Sequence, residues 1–225
     1  MHMDFAVRPM QSEDIPQVAE IERQAFPTTW PPTPFSRELG NKLARYLVAW
    51  SPPRKSLVPT PQATPLPTDE ERDGWFQRLA SSVRSVFGVE PERSPSPSIQ
   101  DYVAGYVGTW FVVDEAHVVS IAVRESLRRL GLGELLMVAA VELAMARRAN
   151  LVTLETRVSN TPAQALYEKY GFRKVGVRKR YYSDNNEDAH IMTVDGILTP
   201  AYQDKFQELV NAYHARRGET ARVLA

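Results

Sequence analysis

The stretch of this chain best suited to chemistry is Arg128-Arg-Leu-Gly131-Leu-Gly133. Two glycines permit positive φ and a close approach of the backbone, and a helix beginning there aims its first unpaired N–H groups back at the turn. Backbone amides, the positive pole of a helix and the side chains of Arg128 and Arg129 together suit a pyrophosphate. Neither of two familiar phosphate turns matches. A P-loop ends in Gly-Lys-Ser/Thr, whereas Gly133 is followed by Glu134; a dinucleotide turn needs GxGxxG directly after its strand, whereas only GxG occurs here and four residues separate Val123 from Arg128. A capped loop that binds nothing is the alternative at this point.

The elements that hold the turn read directly from the pattern. Ile121-Ala-Val123 ends an apolar strand, and Leu135, Val138, Leu143 and Ala146 line a long helix after it. Upstream, Asp101–Val113 and Ala116–Val123 form a hairpin about Asp114-Glu115. Downstream, residues 151–158 alternate, with Val152, Leu154 and Val158 on one face and Thr153, Glu155 and Arg157 on the other, so Glu155 sits mid-strand on the polar face. Thr161 as N-cap, Pro162 at the first position and Gly171 as stop delimit a short helix containing Tyr167. Residues 172–177 and 189–194 read as strands around a polar loop at 181–188, and 201–225 as an amphipathic helix. Near the N-terminus, residues 5–8 read as a strand and Ser12 or Asp14 caps a helix carrying Ile15, Val18, Ile21 and Phe26; a helix at 36–41 and a strand at 44–50 follow. Trp30 and Phe35, on a proline-rich loop, are either recognition groups or plugs that anchor the loop on the core.

Composition narrows the class. With 27 basic and 27 acidic residues the net charge is zero, so no global field argues for direct nucleic-acid binding. The absence of cysteine removes disulfides, thiolate catalysis and Cys-type zinc sites, and the four histidines are too scattered for metal spacing. His117 and His190 read as structural, without a carboxylate partner in sequence reach. No membrane-length apolar run or signal pattern is present, and the chain reads as cytoplasmic. Residues 51–98 interrupt the pattern, holding more than half of the 17 prolines. Within them an amphipathic helix at about 69–89 carries Trp75, Phe76, Leu79, Val83, Val86 and Phe87. Docking on its own domain, on a membrane surface or in a partner groove all stay open for it.

Several spaced motifs now occur in order: the glycine turn, Leu154-Glu155-Thr156-Arg157-Val158-Ser159-Asn160, Ala165-Leu166-Tyr167-Glu168-Lys169-Tyr170-Gly171-Phe172, and Arg180-Tyr181-Tyr182 through Glu187-Asp188-Ala189 to Met192, preceded by Phe26-Pro-Thr-Thr-Trp30. Together they resemble the GNAT acetyltransferases, and within them the RimI-type ribosomal-protein-alanine N-acetyltransferases. The resemblance spans roughly residues 4–195 apart from the insertion. It departs at that insertion, at the tail helix, and at Glu134, where a basic residue is common.

This resemblance implies an α/β fold with a mixed, largely antiparallel twisted sheet flanked by helices. The chain divides into an N-terminal part of the domain (1–50), the insertion (51–98), a C-terminal part with the acetyl-CoA site (99–198) and a helical tail (199–225). Acetyl-CoA then lies between the strand ending near Val123 and the one beginning near Leu151. Its pantetheine pairs with the backbone of Ile121, Ala122 and Val123, its pyrophosphate sits on Arg128, Arg129, Leu130, Gly131, Leu132, Gly133 and Glu134, and Asn160 touches CoA. Glu155 draws a proton from the acceptor amine, and Tyr167 protonates the departing thiolate. Trp30, Tyr181 and Tyr182 wall the acceptor, and Glu187 or Asp188 offsets its charge. The implied acceptor is the N-terminal alanine of a small-subunit ribosomal protein. Other peptide N-termini, a small amine, or a non-catalytic acyl-CoA-binding module are the alternatives.

Overall fold

Helix α3 (Leu132–Ala146) is apolar apart from Glu134 and Glu142 on one side, and ten of its residues, from Leu132 to Ala144, are buried. A helix with so narrow a polar side must be covered on most of its surface. The structure, a computed structural model, describes residues 5–26, 32–52 and 101–224. Trp30 and the amphipathic segment at 69–89, with its proposed docking or membrane contact, lie outside the described residues.

Among the described residues, seven strands form one sheet in the order β1-β2-β3-β4-β5-β7-β6. They are β1 (Ala6–Pro9), β2 (Ala44–Ser51), β3 (Tyr102–Val112), β4 (Glu115–Val123), β5 (Leu151–Arg157), β6 (Arg173–Tyr182) and β7 (Glu187–Asp195). Every neighbouring pair is antiparallel except β4 and β5. One face carries α3 together with Tyr167 of α4 (Thr161–Lys169), Tyr170 just past its end, and Phe206, Val210 and Tyr213 of α5 (Pro200–Arg217). Across the sheet, Val18 and Ile21 of α1 (Ile15–Ala25) and Phe35 of α2 (Phe35–Leu39) pack on Tyr46, Val48 and Tyr106. Phe35 is therefore a plug, set edge-on to Tyr46 and Tyr106.

Several boundaries move relative to the sequence reading. The turn at 12–14 is 3-10, and α1 begins after it. The second helix covers 35–39 rather than 36–41, and the last helix stops at Arg217 rather than running to 225. Beyond it, Ala221 O and Val223 N bond the two backbone groups of Val7, so the tail extends the sheet beside β1. Strands β6 and β7 each reach further into the 181–188 segment, leaving a turn of only four residues between them. None of the helices among the described residues is long and apolar enough to cross a membrane.

Candidate active site

The single parallel pair positions everything that follows. Strands β4 and β5 pair only over Glu115–Val118 and Leu151–Leu154. Just there, Gly108 of β3 faces Ser120 while its neighbour Thr109 faces Val118, which leaves Val119 as an extra residue. Such a bulge bends a strand and reverses its alternation: Ala116 and Val118 pack in the α3 cluster, whereas Ala122 packs with the opposite one. Past the bulge, β4 keeps β3 on one edge and diverges from β5 on the other. The free edge at Ile121, Ala122 and Val123 is what an added extended chain would pair with.

At the outer end of this opening is the glycine turn. The residues between Val123 and the turn form a 3-10 segment, Glu125–Leu127, and the chain then enters α3 through positive φ at Arg129 and Gly131. Arg128 and Arg129 are exposed, whereas Leu132 is buried in the core, so Leu132 offers a ligand only its backbone. The two glycines differ. At Gly131 φ is +94° and a Cβ would lie 3.0 Å from Arg217 Nε, so the fold itself demands glycine. At Gly133 an added Cβ would meet nothing within 4 Å. Glycine in a helix costs about 1 kcal/mol relative to alanine, and no packing contact explains that cost at Gly133. A ligand backed close against the turn does, so the cradle fits a CoA diphosphate.

Glu134 is held inside the protein surface. Its Oε1 receives Lys169 Nζ, the Tyr170 hydroxyl at 2.9 Å and an Arg216 guanidinium N–H at 3.1 Å. The acidic side chain at a position expected to be basic is thus neutralised by its neighbours, and only its backbone remains for a phosphate. Asn160 is the actual N-cap of α4, its Oδ1 accepting from Ala163 N, one residue before the predicted Thr161. Its carboxamide N–H groups stay exposed for a ligand.

Glu155 lies at the inner end, one residue past the last β4–β5 pair. Its side chain is 8% exposed, with His117 Nε2 at 2.6 Å from Oε2 and Arg178 Nε at 2.9 Å from Oε1. The reading of His117 as a structural residue without a carboxylate is thereby overturned. His117 pairs with Thr153 across the parallel strands, so Glu155, two residues on, falls on the same face. Burial alone would push the Glu155 carboxyl up; the hydrogen bond and charge of His117, with Arg178 beside it, outweigh burial and hold it below the ordinary value.

Tyr167 reaches the opening from α4, against Phe172. Burial pushes its hydroxyl up to about 12. That hydroxyl has no hydrogen-bond partner among the described residues, yet it is not sealed in: His190 Nδ1 is the one buried side-chain polar atom there without a partner. Burial first, then the nearby guanidinium of Arg157 in the opposite sense, act on the Tyr182 hydroxyl, with the net effect of pushing it up. Tyr181 and Tyr182 stand edge to face at 5.2 Å, with Arg178 over the first ring and Arg157 over the second. Both tyrosines lie at the end of β6 rather than on a loop. Glu187 accepts from Ser159 N at 2.8 Å and Arg157 at 3.2 Å, and Asp188 from Lys179 and Arg180 N, so both acids fasten the β6–β7 turn.

Comparison with known proteins agrees with this geometry. The model of the Acetyltransferase (GNAT) family matches residues 58–172. A Bacillus subtilis protein, provisionally named a ribosomal protein bS18-alanine N-acetyltransferase, is 37% identical over 195 residues, covering 86% of this chain and 97% of its own. The ribosomal-protein-S18-alanine N-acetyltransferase from Escherichia coli superposes with a TM-score of 0.57 at 22% identity, covering 85% of this chain and 94% of that one. Arabidopsis thaliana NAA60 in complex with acetyl-CoA gives a TM-score of 0.58 at 15% identity, with 85% and 99% of the two chains covered.

Proposed function

This chain belongs to the GNAT family of acetyltransferases, and we propose that it transfers acetyl from acetyl-CoA to the N-terminal amine of a protein, with the N-terminal alanine of a small-subunit ribosomal protein as acceptor. The observation that carries this reading is the split between β4 and β5, with the glycine turn at its outer end and Glu155 at its inner end. The thioester supplies an activated acetyl group, and the residues supply binding, orientation and proton management. Backbone groups of Ile121, Ala122 and Val123 take the pantetheine arm, and the 128–134 turn takes the diphosphate.

A peptide α-amine titrates near ~7.7–8.0, so much of it arrives as ammonium at neutral pH. Glu155, kept ionised by His117 and Arg178, attracts that ammonium. Because its acidity is raised, the carboxylate is a weak proton acceptor by itself; it steadies the ammonium while the proton leaves through water to solvent. Formation of the N–C bond is matched by cleavage of C–S. The sulfur takes its proton from Tyr167, whose burial keeps the phenol protonated in the resting site, and solvent returns a proton to Tyr167 afterwards. The Tyr181–Tyr182 pair leaves an aromatic wall for a small first side chain. The name of the Bacillus subtilis relative supports alanine on a ribosomal protein, and an acceptor that assembles into ribosomes favours a cytoplasmic reaction.

Incubation with acetyl-CoA and a panel of peptides differing in their first residue, read by mass spectrometry with fragmentation, tests this. The expected product is one acetyl on the α-amine of the Ala-initial peptide, formed faster than on the others. Acetylation confined to lysine side chains or small amines, or none at all, would refute it.

A further inference from the structure

Helix α5 buries Phe206, Val210 and Tyr213, an i, i+4, i+7 stripe in which the next position of the same face is 217. The residue there is arginine. Tyr213 has its ring in the core and its hydroxyl 3.4 Å from Gly131 O, and one turn further along that face Arg217 lies over Gly131 itself. A Cβ at Gly131 would be 3.0, 3.5 and 3.6 Å from Nε, Cδ and Cγ of Arg217. Basic residues suit the negative pole of a helix C-terminus, which accounts for a charge in this last turn but not for its lying across the glycine turn. Among the described residues, Arg217 has no hydrogen bond or carboxylate partner, whereas its neighbour Arg216 is bound to Glu134.

The end of α5 is also fixed in place. Arg222 grips Glu142 of α3 with Nε at 2.7 Å and a terminal N–H at 2.8 Å, and accepts no slack on the other side, where its remaining nitrogen meets His214 Nε2 at 2.8 Å. Val7 holds the chain beyond by two backbone bonds. A half-buried, unpaired guanidinium held rigidly over the backbone of an anion cradle is complementary to phosphate oxygens, which guanidinium binds through paired N–H groups. We propose that Arg217 binds the diphosphate of the CoA donor, so that the tail helix completes a phosphate site whose own first helical turn carries Glu134. This rests on the acetyl-CoA reading of the turn.

The test compares wild type, Arg217→Ala and Arg217→Lys, using calorimetric titration with CoA and steady-state transfer from two donors, acetyl-CoA and acetyl-pantetheine, which lacks every phosphate. Expected for Arg217→Ala are about tenfold weaker CoA binding and a matching rise in KM for acetyl-CoA, with kcat and the acetyl-pantetheine rate unchanged. Arg217→Lys should recover part of the loss, and the CoA affinity of wild type should fall more steeply with salt than that of Arg217→Ala. Equal CoA affinity in wild type and Arg217→Ala, or an equal loss with both donors, overturns the proposal while the acetyl-CoA reading stands. Wild type failing to bind CoA overturns both.

Discussion

The glycine turn and the Glu155 cluster are two ends of one opening, and they are built in opposite ways. Residues 128–134 are consecutive: their function depends on backbone amides, on the start of α3 and on a local φ of +94° at Gly131. The other end draws His117 from β4, Glu155 from β5, Arg178 and the two tyrosines from β6, and Tyr167 from α4. A backbone cradle tolerates side-chain change and fails when the backbone or its free space changes; a cluster assembled across elements fails when one side chain loses its chemistry. Holding the donor and moving protons should therefore be separable by mutation.

The largest effects belong to the cluster. Glu155→Gln removes the anion while keeping shape, and transfer at neutral pH should fall by about 10²- to 10⁴-fold with little change in acetyl-CoA affinity. The rate should recover partly as pH rises and the acceptor amine loses its own proton; a pH–rate profile unchanged in shape would show that Glu155 does not assist deprotonation. Smaller effects are expected at the turn, and there they divide. Gly131→Val forces an L-residue into positive φ and into Arg217, so both melting temperature and CoA affinity should drop. Gly133→Ala fills only empty space; the melting temperature should hold or rise, in keeping with a helix gain of about 1 kcal/mol, while CoA affinity falls about tenfold. Arg129→Ala, an exposed charge, should cost about threefold or less at physiological ionic strength. Calorimetry with CoA alongside thermal melts separates these outcomes, and equal affinity losses in the three variants would break the backbone-cradle account.

The same contrast explains what the sequence could disclose. The turn is contiguous, so spacing alone exposes it, and Glu155 follows from alternation within a single strand. The partnership of His117 depends on the parallel register of β4 with β5, which leaves no mark in local spacing. A signal does exist: each residue is an ionisable group within one of the two strands that flank a single crossover helix. Strand β6 outruns the range its pattern suggests because Arg173-Lys-Val-Gly-Val-Arg-Lys-Arg is exposed along an outer strand, with charges where alternation would be sought; such charges are how edges resist unwanted pairing. The amphipathic pattern of α5 is legible in the sequence, but the direction in which it packs, and so the placement of Arg216 and Arg217, belongs to tertiary structure.

The smallest expected effect concerns the turn that supports Tyr181 and Tyr182. Hydrogen bonds from Ser159, followed by Asn185 and Arg157, lower the Glu187 carboxyl to about 2 from an ordinary 4.5. A carboxyl depressed on folding stabilises the folded turn above its ordinary value and loses that contribution as pH falls through its folded one. Hydrogen exchange at the Ser159 amide should thus stay slow, relative to its intrinsic rate, as pH falls below the ordinary carboxylate range, and speed up only near 2. Protection lost already in the ordinary range would show that the Glu187 contact is not maintained in solution.

The central claim is that Tyr167 delivers a proton to sulfur in the gap between β4 and β5, and single-turnover transfer by Tyr167→Phe tests it most directly. With saturating acetyl-CoA and an Ala-initial peptide, the variant should bind CoA as wild type does, since the ring's contact with Phe172 is kept, and should transfer acetyl about 10²-fold more slowly. A transfer rate equal to wild type would contradict the claim, as would a slow rate arising wholly from lost CoA binding.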